Sequence, residues 1–126
     1  KEKIKDYLIK KSISVIDLGP FSEVSVDYPD YAKKVAKRVI LKKSDAGILV
    51  CGSGTGMAIT ANKFKGVRAA QCYNKNSTIF SRKHNNSNII CLGSRMLKYK
   101  EAFKYVTYFL NTKFEGGRHQ KRINKI

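Results

Sequence analysis

Acidic residues are scarce in this chain: nine Asp and Glu stand against 26 Lys and Arg, a formal net charge of +17 over 126 residues. Such a balance favours anionic partners, namely nucleic acid, an acidic membrane surface or phosphorylated metabolites. Nucleic acid is disfavoured among them, because the lysines are spread along the whole chain and no aromatic RNA-binding signature accompanies them. No apolar run approaches the length of a membrane span and no signal peptide is visible, so no membrane association is expected. Cysteine is limited to Cys51, Cys72 and Cys91, with no CxxC pair and no even-numbered framework. Free thiols and a cytoplasmic setting are therefore expected, with no structural metal. Internal repeats and low-complexity linkers are absent, and the length suits one domain over residues 1–126.

What is present is an alternation of helical and strand-like segments. Lys1 to Lys11 reads as a basic amphipathic helix with Ile4 and Leu8 inward. Ser14 to Leu18 reads as a short strand stopped by Gly19-Pro20. Pro29 suits the first turn of a helix whose apolar face is Tyr31, Ala32, Val35, Ala36 and Val39. Further strands are expected at Ala46–Val50, Val67–Cys72 and Asn88–Leu92, with helices at Met57–Phe64, Asn76–Lys83 and Lys100–Asn111. This spacing predicts a parallel sheet covered by helices on both faces. The chain begins at Lys1 without an initiator methionine and runs directly into helical sequence. A doubly wound sheet usually starts with a central strand, so part of the natural N-terminus is expected to be missing.

The most informative stretch is Cys51-Gly52-Ser53-Gly54-Thr55-Gly56, which follows the apolar run Ile48-Leu49-Val50. Glycines between a strand and a helix let the backbone approach a ligand, and free N–H groups at the helix start favour an anion or oxyanion. A dinucleotide fingerprint requires a further glycine where Met57 stands, and an acidic residue where the next strand ends in Gln71-Cys72-Tyr73. The Gly-Lys-Ser/Thr of a triphosphate loop is absent. A tight turn that uses glycine only for packing remains the plain alternative.

Cys51 stands at the carboxyl end of a strand beside those N–H groups, where a thiolate base or nucleophile is favoured. A small core residue is the competing reading, and it is the better one for Cys72 and Cys91. His84 sits in the polar run Ser81-Arg82-Lys83-His84-Asn85-Asn86. It can be a general acid/base with Asn85 as a ligand contact, or a histidine that merely favours a helix C-terminus. Arg118 and Arg122 are four apart, with His119 between them. On one helical turn they could clamp a phosphate; otherwise they form a solvated basic tail.

Three segments together resemble the type B ribose-5-phosphate isomerase family, which includes the galactose-6-phosphate isomerase subunits. They are Cys51 to Met57 with Ala61-Asn62-Lys63; Arg82-Lys83-His84-Asn85 with Asn88 and Leu92-Gly93-Ser94-Arg95; and Glu115-Gly116-Gly117-Arg118-His119-Gln120-Lys121-Arg122. Asp27-Tyr28-Pro29 fits as well, and the likeness covers essentially the whole chain.

The resemblance implies a Rossmann-like α/β/α sandwich of five parallel strands, a homodimer or dimer of dimers with sites at the subunit interface, and no metal or organic cofactor. The implied reaction interconverts ribose 5-phosphate and ribulose 5-phosphate. By the same resemblance Cys51 is the base that moves a proton between C2 and C1. The loop Gly52, Ser53, Gly54, Thr55 and Gly56 cradles the enediolate, and His84 opens the furanose ring. Asn85 and Arg95 are ligand contacts, and Arg118 and Arg122 grip the phosphate. The family opens with a strand ending in an Asp-His pair that this chain lacks. That strand would lie between Ser14–Leu18 and Ala46–Val50, so a cleft in the sheet and impaired or absent activity are expected. Hexose-6-phosphate isomerisation, of galactose or allose 6-phosphate, is the nearest alternative reading, and a basic non-enzymatic nucleic-acid-binding module is the one from another class.

Overall fold

Short apolar runs form the sheet and amphipathic segments form the helices of this computed structural model, which describes residues 1–126. The strands are β1 (Gly47–Cys51), β2 (Ala69–Gln71) and β3 (Ile89–Gly93), all parallel, in the order β1-β3-β2. All five residues of the central strand β3 are buried, as expected for a continuous apolar run flanked on both sides. Side chains alternate across it. Ile89 and Cys91 join one core cluster, and Ile90 and Leu92 join the other.

Each cluster is closed by helices. The first face is covered by α2 (Tyr28–Ile40) and α3 (Thr55–Ala61), which contribute Ala32, Ala36, Val39, Met57 and Ala61. The opposite face is covered by α1 (Glu2–Lys10) and α5 (Tyr99–Asn111), through Ile4, Leu8, Ala102, Val106 and Phe109. Burying a side chain such as Leu92 or Phe109 contributes about 1.5–3 kcal/mol. Two further helices, α4 (Lys75–Asn85) and α6 (Arg118–Ile123), complete the chain. The three layers predicted from the sequence are present.

Several boundaries differ from the sequence expectation. The strand at Val67–Cys72 contracts to three residues, and the helix after the glycine loop begins at Thr55 and ends at Ala61 rather than spanning Met57–Phe64. The α4 helix runs two residues past Lys83 and takes in His84 and Asn85. It starts at a capping box in which the Asn74 side chain accepts from the Ser77 amide at 2.7 Å. It stops where Asn86 adopts the left-handed conformation at φ 46°.

The larger correction is at Ser14–Leu18, which forms no strand. A strand exists only through a partner, and none adjoins this segment. Between it and β1 lies the expected cleft, about 830 Å³, lined by Val15, Ile16, Val35, Ile48 and Val50 among others. Because the Gly47 amide donates to the Asn88 carbonyl at 2.9 Å, alternate residues of β1 face β3. The backbone groups of Ile48 and Val50 therefore point away from β3, toward the cleft. Three strands stand where the resemblance implied five.

Candidate active site

Parallel strands deliver their carboxyl ends to one edge of the sheet, and the glycine loop starts there. Cys51 is the last residue of β1, is only partly buried, and lines the cleft. Its Sγ accepts the amide of Gly54 at 3.1 Å. Gly54 caps α3 at φ 84°, and a side chain there would press on the Leu92 carbonyl carbon at 3.1 Å. Glycine at this position is therefore required both by conformation and by space. A side chain at Gly56 would collide with the ring of Tyr28, so the loop is packed as well as flexible in composition.

Neighbouring strands fix the loop. Ser94 donates its amide to the Cys51 carbonyl at 2.7 Å, and Arg95 donates its amide to the Gly52 carbonyl at 3.0 Å. The Arg95 guanidinium lies against Gly52, with its Cζ 3.4 Å from where a Cβ would stand, which brings a cation next to the thiol loop. Gln71, at the end of β2, donates to the Ser53 carbonyl at 2.9 Å and contacts Thr55 Oγ1 at 3.0 Å. Sequence reasoning missed Gln71. Its position at the carboxyl end of a strand is the signal that could have singled it out.

The second group of candidate residues lies elsewhere. The α4 helix runs antiparallel to the strands, so His84 and Asn85 end beside Asn88, where β3 begins. The Asn85 carbonyl accepts from Arg68 Nε at 3.0 Å, which holds it at the amino end of β2. The loop after α5 returns to the same place, with the Glu115 amide donating to the Lys83 carbonyl at 3.1 Å. Arg118 and Arg122 follow on α6, four apart and exposed. The tail expected either as a clamp or as solvated chain is thus a helix.

Cys51, the glycine loop and Arg95 therefore sit at one end of the sheet, and His84, Asn85, Arg118 and Arg122 at the other. Cys51 pairs in register with Gly93 while His84 lies near the Ile89 end, a separation of roughly 13 Å along the strands at 3.3 Å per residue. One small sugar cannot touch both ends of a single chain.

At that far end the two histidines stack, with ring centroids 4.2 Å apart, and Phe80 stacks on His84 at 4.9 Å. His119 is buried, and burial holds its pKa below the usual value, helped by His84 and Arg118; Glu115 opposes the shift. Sequence reading noted His119 only as lying between two arginines. His84, Glu115 and His119 are the one cluster of side chains with metal-ligand chemistry. Cys91 is buried, which pushes its pKa up to about 12, and burial also raises Cys72, so both are inert core thiols as expected. No helix is long and apolar enough to cross a membrane.

Residues 1–126 match the protein family described as Ribose/Galactose Isomerase. Ribose-5-phosphate isomerase B of Escherichia coli (strain K12) is 42% identical over 126 residues, which is 100% of this chain and 85% of that protein. The ribose 5-phosphate isomerase structure from Thermotoga maritima superposes with a TM-score of 0.97 at 50% identity, covering 98% of this chain and 86% of that one. The Mycoplasma genitalium ribose-5-phosphate isomerase B structure, with bound ribulose-5-phosphate, gives a TM-score of 0.94 at 44% identity, covering 99% and 84%. On a family match spanning every residue and a shared fold at this level of identity, the chain belongs to the ribose/galactose isomerase family.

Proposed function

We propose that this protein interconverts ribose 5-phosphate and ribulose 5-phosphate by moving a proton between C2 and C1 of the open-chain sugar. The observation that carries the reading is the Cys51 sulfur held 3.1 Å from the Gly54 amide at the mouth of the glycine loop. The hydrogen next to a carbonyl is weakly acidic, so the enediolate must be stabilised as it forms. The amides of Gly52 to Gly56 are the donors suited to that task, and such a donor contributes about 3 kcal/mol. The Cys51 thiolate takes the proton from C2 to give the enediolate and returns it to C1, while the proton on the C2 hydroxyl passes to O1, so that C2 becomes the carbonyl and C1 the hydroxymethyl. The exchange is redox-neutral, and carbon, hydrogen and charge balance within the sugar. Arg95 lies where a ligand oxygen would meet the loop.

The remaining parts come from a second copy of the chain, because His84, Asn85, Arg118 and Arg122 stand at the far end of the sheet. In a two-fold dimer the far end of one protomer meets the loop end of its partner, and two equal sites result. His84 is the acid/base for furanose opening, Asn85 contacts the ligand, and the paired guanidinium groups hold the phosphate. A phosphate held far from the reacting carbons supplies binding energy that places C1 and C2 beside sulfur.

The test is a coupled assay on ribose 5-phosphate beside allose and galactose 6-phosphates, on the chain extended by the opening strand that the resemblance implies, with Cys51→Ala and His84→Ala versions measured alone and mixed. Each variant alone is expected to lose turnover. An equimolar mixture is expected to regain about a quarter of the wild-type sites, because half of randomly paired dimers carry one intact site. No recovery on mixing would overturn the shared site, and preference for a hexose phosphate would overturn the pentose assignment. Binding that falls steeply with salt and ignores Cys51 would mark a nucleic-acid module instead.

A further inference from the structure

The run Arg82-Lys83-His84-Asn85 gives His84 and Asn85 to the proposed reaction and leaves Arg82 without a part in it. Arg82 is half-buried, with its Cζ 5.5 Å from the centroid of the buried Phe109 ring. Burial lowers its pKa, and the charge of Arg68 adds to the shift. No carboxylate compensates, since the nearby Glu115 lies against Lys83 and His119 instead. Neutral oxygens from three places satisfy the guanidinium. Nε donates to the Thr112 carbonyl at 3.1 Å, and Nη1 donates to Asn86 Oδ1 at 3.0 Å and to the Ser87 carbonyl. An apolar side chain would pack on Phe109 without the desolvation of a charge, so packing alone does not account for arginine here.

We propose that Arg82 is a positioning residue that sets the distance between the His84–Asn85 end of α4 and the phosphate-holding arginines of α6. Thr112 caps α5 and opens the loop that leads to α6, so the Arg82–Thr112 bond hangs that loop on α4. The next residue of α4 repeats the link through its backbone, with the Lys83 carbonyl accepting the Glu115 amide at 3.1 Å. Asn86 and Ser87 lie just beyond the last turn of α4, so the same guanidinium also fixes where His84 and Asn85 stand. Arg68 Nε holds the Asn85 and Asn86 carbonyls at 3.0 and 3.1 Å. Of these two arginines, Arg82 is the one bonded to the loop before α6. Its planar fork reaches separate acceptors at fixed angles, which the compact ammonium of lysine does not reproduce. The assignment rests on the isomerase reading, because the spacing matters to a sugar phosphate that touches His84 and Arg118 together.

The experiment compares Arg82→Lys with the wild type on the strand-extended chain of the coupled assay, well below both melting temperatures. Lysine keeps the charge and an aliphatic stem on Phe109 but loses the fork. The kcat for ribose 5-phosphate should fall about a hundredfold, as for a misplacement near 1 Å. Inhibition by inorganic phosphate should stay close to the wild-type value, because Arg118 and Arg122 are intact. An unchanged kcat, or phosphate inhibition lost in step with kcat, would overturn the proposal. Proton NMR of the two imidazoles gives a readout that needs no turnover. Their rings stack at 4.2 Å across α4 and α6, and their resonances should move in Arg82→Lys. Resonances that stay in place would also overturn it. Resonances that move in a chain with no turnover support the tether and refute the isomerase reading, so the two fail separately. If Arg82→Lys does not fold, Asn86→Gly decides the matter. Glycine keeps the left-handed cap and removes one acceptor of Arg82. Its kcat should fall roughly fivefold, about the worth of one hydrogen bond, and an unchanged kcat there would count against the tether.

Discussion

Gln71 and Ser53 are joined across the top of the sheet: the Gln71 amide nitrogen reaches the Ser53 carbonyl at 2.9 Å and Thr55 Oγ1 at 3.0 Å. The link ties the end of β2 to the middle of the glycine loop. Gln71→Ala removes both contacts from an exposed side chain, so the fold should persist while the loop loosens. A loss of about 1–2 kcal/mol of loop order corresponds to roughly a five- to thirty-fold lower kcat. Steady-state kinetics beside a melting curve checks this; an equal loss of stability and rate would mean that the link only supports the fold.

The three thiols should differ in reactivity. Cys51 is partly exposed with an amide directed at its sulfur, whereas Cys72 and Cys91 are buried and disfavour the thiolate. Iodoacetamide under native conditions should label Cys51 alone, and labelling should abolish turnover. Peptide mass mapping after a timed reaction decides it, and early label on Cys91 would contradict the burial described above.

Gly93 should tolerate no side chain. A Cβ there would stand 2.6 Å from the Ser53 carbonyl oxygen, which is backbone and cannot swing away. Gly93→Ala should therefore destabilise the protein by about 1–3 kcal/mol and displace the loop. Thermal denaturation measures the first effect, and altered labelling of Cys51 the second.

Acid should unfold the protein partly through Asp17. Its carboxylate accepts Lys1 Nζ at 2.9 and 2.8 Å, and it also accepts the Gly19 amide at 2.9 Å and Lys5 Nζ at 3.1 Å. The Lys1 contact, against the opposing effect of burial and with help from Gly19 and Lys5, lowers its pKa from 3.8 to about 2. A carboxylate with a lowered folded-state pKa contributes stability that is complete above the unfolded value. That stability is lost as pH falls from 3.8 toward about 2. Melting temperatures across that range should drop more steeply for the wild type than for Asp17→Asn.

Much of the architecture was legible because amphipathic periodicity is local. The Ala32, Ala36 and Val39 face of α2 and the unbroken apolar run of β3 announce themselves in the sequence. Ser14–Leu18 misled because strand composition describes a segment fit to pair, and pairing is a property of its surroundings. The loop around Cys51 was readable for the same local reason, since its glycines and its thiol are consecutive. The meeting of His84 with His119 was not, because it is made by two helices packing at the end of the sheet. Nor did the sequence reveal that Cys51 and His84 face opposite ends, which follows from α4 running back against the strands.

The open side of β1 leaves a trace that hydrogen–deuterium exchange can read. Amides of Leu49 and Cys51 point toward β3, while those of Ile48 and Val50 point into solvent-accessible space. Deuterium uptake should therefore alternate residue by residue along Gly47 to Cys51, slow then fast, and a ladder closed on both sides would erase that alternation.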